Sequence, residues 1–316
     1  MSFIKKYYFY NVISTLFYCS KKNNNDLLKM KKTYLLPKNH TLNTCVTNNF
    51  DDLRFSYLFF PFFLLLLIVF FLFRENAFSV EAYTHIQKDS FLYLNSQFSK
   101  FPDLQFNLTQ LGDVIIFLPL LTIFIVYAPK FWHALLSSLL VSGIFSFLLK
   151  KLFAVPRPAA VFDNDKFLII GNTLLGNTSL PSGHSIATFT ILTSVFVAFI
   201  PKEIRFKIIW FFSILSVGLI IVFTRVGVGA HYPLDVIIGS IIGCIAALVG
   251  VFINKKYNPW IWIEKKKYYP VFIFVMFIWA AALMNKIITD NLMIFYFSLV
   301  SLVTTLFIII NIYVKK

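Results

Sequence analysis

The chain has 316 residues, of which 58% are hydrophobic and 14% charged, against roughly 45–50% apolar and about 25% charged in an average water-facing domain. That surplus, 39 phenylalanines included, excludes an ordinary soluble protein and predicts a bilayer protein. The net charge of +15 reads first as basic loops on one side of a membrane and second as a site for an anion; no nucleic-acid partner is expected.

Residues 1–52 are rich in Lys and Asn, with one weak apolar stretch, Tyr7–Tyr18. It is shorter than the roughly 20 residues a spanning helix needs. It lacks a small-residue cleavage site, so no signal peptide is read there, and part of the segment is expected to be disordered. Met30, ahead of Lys31 and Lys32, is a candidate alternative start. Eight long apolar segments follow, at about 55–73, 113–128, 133–149, 184–200, 207–223, 235–253, 269–284 and 292–313. All are expected to be helical, because a backbone in lipid must satisfy its hydrogen bonds internally. The predicted fold is therefore an all-α, polytopic membrane helical bundle. The last two segments carry no small-xxx-small pattern that would favour tight pairing, and the oligomeric state is left open.

With the N-terminus on the inner side, the loops 129–132, 201–206 and 254–267 and the C-terminal tail lie inside. They hold Lys130, Lys202, Arg205, Lys255, Lys256, Lys265, Lys266, Lys267, Lys315 and Lys316. Short basic loops on one side fit the positive-inside rule. The outer loops are about 74–112, 150–183, 224–234 and 285–291. One of them breaks the rule with Lys150, Lys151 and Arg157, and Arg225 sits at an outer helix end. Cations placed against the topological bias call for an anion.

Three patches meet on that outer side: Lys150-x6-Arg157-Pro158, Pro181-Ser182-Gly183-His184, and Thr224-Arg225-x5-His231-x3-Asp235. Lys150, Arg157 and Arg225 are suited to phosphate oxygens, the arginines two at a time. Ser182 and Gly183 precede a helix whose first free N–H groups can face the same anion. Pro233 suits a first helical turn, which puts Asp235 one turn above His231, where a carboxylate can take an imidazole N–H and set the tautomer. Taken singly, His184, Asp235 and Arg225 each read more readily as structural. At these spacings together they read as one site.

The three patches resemble the type 2 phosphatidic acid phosphatase superfamily, which shares its site with vanadium haloperoxidases. Its pattern is K-x6-R-P, P-S-G-H and S-R-x5-H-x3-D, and every spacing is met; Thr224 stands where the family usually has Ser. The resemblance covers about residues 55–253. It implies three parts: the N-terminal segment 1–52, a six-helix catalytic core over 53–253, and a hairpin of two further spans over 254–316. It also implies that His231 attacks phosphorus, that His184 protonates the leaving group and later activates water, and that Asp235 orients His231. Lys150, Arg157, Ser182, Gly183 and Arg225 would bind phosphate.

No Asp/Glu/His set has metal-ligand spacing, so no metal and no cofactor are expected. The implied substrate is a membrane lipid phosphate: phosphatidic acid, phosphatidylglycerol phosphate, a polyprenyl diphosphate or lipid A. The implied location is a bacterial inner membrane, with the site on the periplasmic face and both termini cytoplasmic. Lipid-to-lipid phosphotransfer through the same site and a non-catalytic lipid-carrier transporter or binding protein are the alternatives; a soluble haloperoxidase is argued against by the helices. His85 and His133 lack a partner pattern and read as structural, Asp113 as a helix N-terminal charge, and the Asp163–Asp165 run as too incomplete for calcium. The three cysteines, Cys19, Cys45 and Cys244, suggest no disulfide framework and no zinc site.

Overall fold

The computed structural model describes residues 40–314, and among these no strand occurs. The helices in chain order are α1 (His40–Asp51), α2 (Phe59–Arg74), α3 (Val80–His85), α4 (Lys88–Phe98), α5 (Pro102–Thr109), α6 (Val114–Phe117) and α7 (Phe124–Tyr127). They continue as α8 (Pro129–Phe153), α9 (Pro158–Val161), α10 (Gly183–Ala198), α11 (Ile204–Gly227), α12 (Pro233–Tyr257), α13 (Tyr269–Asp290) and α14 (Met293–Val314). Among the described residues six helices are long and apolar enough to cross a membrane, seven if one bent pair counts as a span. The chain is an all-α membrane bundle.

α12 is the most enclosed of these spans and α2 the least. α12 packs closely against α8 and α10, and Gly239 permits part of that approach: a Cβ there would lie 2.7 Å from the Ser182 carbonyl oxygen. α2 is apolar all round, with Phe59, Phe60, Phe62 and Phe63 exposed. Such a surface suits lipid tails and not water.

The segment expected at 113–128 is not one straight helix. Pro102–Gly112 and Val114–Leu121 meet at a bend of 87°. Asp113 causes the break locally: its side chain accepts the N–H of Ile115 at 2.9 Å and starts a new helix. Pro119 and Pro129 lack the N–H that a continuous ladder needs. The segment expected at 184–200 is a helix of 16 residues, shorter than a usual span. It is enclosed by α8, α11 and α12, so its neighbours, and not lipid, cover it.

α1 covers the residues 40–51 of the N-terminal segment with ordered helix. It buries Val46 and Phe50 against the core and bonds Asn49 Nδ2 to the carbonyls of Ala198 and Ile200 at 2.9 and 3.2 Å. The expectation of disorder, the stretch Tyr7–Tyr18 and Met30 otherwise fall outside the described residues. Cys45 is disulfide-bonded and Cys244 is free. This corrects the expectation of no disulfide, which rested only on the absence of paired spacing.

α13 and α14 form an antiparallel hairpin that packs on the bent segment, with Trp279 Nε1 donating to the Ile115 carbonyl at 2.9 Å and Ser298 Oγ to that of Ile116 at 2.8 Å.

Candidate active site

The loop between α11 and α12 is shaped by its backbone. Gly229 has φ +77°, in the left-handed region. The turn it allows brings the N–H groups of Ala230 and His231 back to the Arg225 carbonyl, at 3.0 and 3.2 Å. Tyr232 then caps α12. Asp235, in the first turn, accepts the Tyr232 N–H on Oδ2 at 3.1 Å, so the loop that carries His231 is tied to the carboxylate one turn above it.

His231 is 1% exposed and Asp235 fully buried. His231 Nδ1 lies 3.5 Å from Asp235 Oδ2. Its other nitrogen, Nε2, lies 3.4 Å from Arg157 Nη1. The same Nη1 donates to the Ala230 carbonyl at 3.2 Å, and Arg157 Nε meets Thr178 Oγ1 at 3.4 Å. Burial first, and then Arg157, Arg225 and Lys150, hold the His231 imidazole well below its ordinary pKa. The folded protein therefore carries it neutral at pH 7.

Arg225 is buried and donates from Nη1 to Thr109 Oγ1 at 2.8 Å, while its Nε has no partner. Lys150 ends α8. A Cβ built on Gly183 would lie 3.3 Å from the Lys150 ammonium, so the lysine reaches the start of α10. Ser182 caps α10: its hydroxyl accepts the N–H of Ser185 at 3.4 Å, and its own N–H donates to the Asp235 carbonyl at 3.1 Å. The N–H groups of Gly183 and His184 have no partner among the described residues. Gly112, at the bend, packs on His184, where a Cβ would come within 2.6 Å of the imidazole Cδ2.

The three sequence patches therefore meet at one end of the bundle: Lys150, Arg157, Ser182, Gly183, His184, Arg225, His231 and Asp235 surround one place. Lys151 points elsewhere, with its ammonium over the Phe147 ring at 4.6 Å. His133 and Glu264 lie 3.8 Å apart at the other end, beside Trp260 and Ser137, and belong to no part of this site. Among the described residues no group of three or more His, Cys, Asp or Glu side chains is placed to hold a metal ion.

Sequence reasoning missed three contributors. Tyr83 donates to Asp235 Oδ1 at 2.8 Å, Ser179 donates to Asp235 Oδ2 at 2.5 Å, and Thr109 accepts from Arg225. Tyr83 and Thr109 carry no local signal, being distant in sequence from their partners. Ser179 stands three residues before Ser182, but a lone serine in a polar loop is common.

The PAP2 superfamily model matches residues 131–259, a narrower stretch than the 55–253 over which the motifs suggested a resemblance. No curated protein matches the chain. Among solved structures, the crystal structure of LpxE from Aquifex aeolicus is similar, with 23% identity and a TM-score of 0.44, covering 53% of this chain and 95% of that one. The matched stretch holds every residue of the three motif patches, and the long apolar helices make the chain an integral membrane protein.

Proposed function

We propose that the protein hydrolyses a membrane lipid phosphate through a phosphohistidine on His231, without a metal ion. The observation that carries this reading is the placing of the two His231 nitrogens, Nδ1 at 3.5 Å from Asp235 Oδ2 and Nε2 at 3.4 Å from Arg157 Nη1. A guanidinium only donates. Nε2 is then the acceptor nitrogen, with its lone pair turned toward the cations, and the proton sits on Nδ1 facing Asp235.

A phosphate entering this place displaces the Arg157–Nε2 contact. Its oxygens take up Lys150, Arg157, Arg225 and the N–H groups of Gly183 and His184, which stabilise the charge that spreads over them in the transition state. The Nε2 lone pair attacks phosphorus and forms the P–N bond. The P–O ester bond breaks, and its electron pair leaves on an oxygen that takes a proton from His184. Burial, and then Arg225, Lys150 and Arg157, disfavour that proton before phosphate binds; the charge of the bound phosphate, arriving with it, offsets them. Asp235 stabilises the imidazolium so formed. In the second step neutral His184 takes a proton from water, whose oxygen attacks phosphorus. The P–N bond breaks, inorganic phosphate departs and His231 is neutral again.

The substrate carries its phosphate at headgroup level, with its tails among the helices. Phosphatidic acid, phosphatidylglycerol phosphate, a polyprenyl diphosphate and lipid A all fit that description. In this reading residues 53–253 form the catalytic core and 254–316 an accessory hairpin, and the site faces the periplasm of a bacterial inner membrane.

The test is release of inorganic phosphate from those four lipids by purified protein in detergent with EDTA present. Wild type is expected to turn over at least one of them, and His231→Ala to fall by about 10³-fold or more. Activity that survives in His231→Ala, or that EDTA abolishes and Mg²⁺ restores, overturns the mechanism. Phosphate that appears only on an added lipid acceptor would redefine the enzyme as a phosphotransferase using the same histidine.

A further inference from the structure

Asp235 has four polar neighbours, and one of them comes from far outside the matched stretch. Tyr83, on α3, is 4% exposed, and its hydroxyl donates to Asp235 Oδ1 at 2.8 Å. The other three neighbours all meet Oδ2: the Ser179 hydroxyl at 2.5 Å, the Tyr232 N–H at 3.1 Å and His231 Nδ1 at 3.5 Å. Tyr83 is thus the single hydrogen-bond donor to Oδ1 among the described residues. It fixes the second end of a carboxylate whose Oδ2 the Ser179 hydroxyl and the Tyr232 N–H already hold, so that Oδ2 stays turned to the histidine.

The tyrosine is itself braced. The Ser79 hydroxyl caps α3 by accepting the Ala82 N–H at 3.1 Å. Gln87 spans the gap to α12: its Nε2 donates to the Tyr83 carbonyl at 3.0 Å, and its Oε1 accepts the Leu234 N–H at 2.8 Å. Gln87 is 3% exposed, and it leaves α3 and the first turn of α12 little freedom to move apart. Burial, and then the neighbouring Asp235 charge, push the Tyr83 phenol well above its ordinary pKa. It stays protonated and can serve only as a donor to the carboxylate.

We propose that Tyr83 is a positioning residue of the phosphatase site, acting on His231 through Asp235. The proposal rests on the phosphohistidine reading above. In the first step His231 gains positive charge as its Nε2 bonds to phosphorus, and Asp235 must meet that charge at Nδ1 with Oδ2. Without the Tyr83 hydroxyl, Oδ1 is left buried with no donor. The carboxylate is then held through Oδ2 alone, and it orients His231 less tightly.

The experiment compares wild type, Tyr83→Phe, Asp235→Asn and the double variant, on whichever of the four lipids wild type hydrolyses. Phe keeps the ring and removes only the hydroxyl. Tyr83→Phe is expected to lower kcat about ten-fold with KM changed less than two-fold, the split of a group that acts in the transition state and not in binding. In the Asp235→Asn background the same change is expected to cost less than two-fold. An unchanged kcat in Tyr83→Phe, or a loss carried by KM, overturns the proposal. So does an equal fractional loss in both backgrounds, or a loss that appears only as a lower denaturation midpoint. The split between kcat and KM is read on the single variant alone, so the test stands even where Asp235→Asn leaves too little turnover for the cycle. Wild type that hydrolyses none of the lipids, or His231→Ala that retains activity, would instead sink the phosphohistidine reading.

Discussion

At the end of the bundle away from His231, Lys255 donates to the carbonyls of Phe50 and Asp51 at 3.1 and 3.0 Å and lies 4.0 Å from the Asp51 carboxylate. At the site end, Lys150, Arg157 and Arg225 have no carboxylate within ion-pair distance among the described residues. The carboxylate nearest them, Asp235, is already taken up by Tyr83, Ser179, the Tyr232 N–H and His231. Both ends are rich in positive charge, but Lys255 at the far end is set against a carboxylate, while the three site cations have none among the described residues. A buried cation without a partner is costly, and the cost is tolerable where an anionic ligand arrives to fill the gap. Partnering, more than charge, separates a structural lysine from a binding one.

The largest effect that would break this comparison is at Arg225. Arg225→Met is expected to lower kcat/KM by about 10²–10³-fold, while the denaturation midpoint in detergent stays level or rises, because an unanswered buried charge has gone. Millimolar inorganic phosphate should raise the midpoint of wild type by mass action and leave that of Arg225→Met in place. Loss of activity together with loss of fold would place Arg225 among the structural cations.

A smaller effect sharpens the electrostatic side of the comparison. In the unfolded chain a histidine titrates near ~6.5; in the fold, burial and then the three site cations hold His231 well below that. As the pH falls below about 6.5, the unfolded chain binds a proton that the native protein refuses, so stability falls. His231→Gln should lose that part of the decline. Midpoints measured from about pH 7.5 down to about pH 5 would show it, and parallel curves for the two proteins would contradict it.

The smallest effect belongs to the answered cation. Lys255→Met should change stability by less than about 1 kcal/mol and leave kcat/KM within two-fold of wild type. A large loss of activity would mean that the far end, and α1 with it, acts on the site.

Much of the site was legible because its motifs are local. Asp235 lies one helical turn from His231, and Ser182 and Gly183 sit where a helix must begin; such relations follow from helix geometry whatever surrounds them. The all-α class was equally legible, since hydropathy at this level leaves helices as the way to satisfy a backbone in lipid. The bend at Gly112–Asp113 was not. The apolar run 114–128 reads as continuous, and the turn depends on Asp113 capping a new helix over His184.

The sequence by itself determined the helical membrane class, the three patches and which nitrogen, hydroxyl and cationic groups were on offer. Only the tertiary structure decided that Tyr83 meets Asp235 across 152 positions, that Thr109 meets Arg225 across 116, and that Ser179 completes the carboxylate's partners. The physical reason is range. Spacing within a turn or a helix is set by backbone geometry, whereas a hydrogen bond between distant segments exists only after apolar packing has brought their helices together.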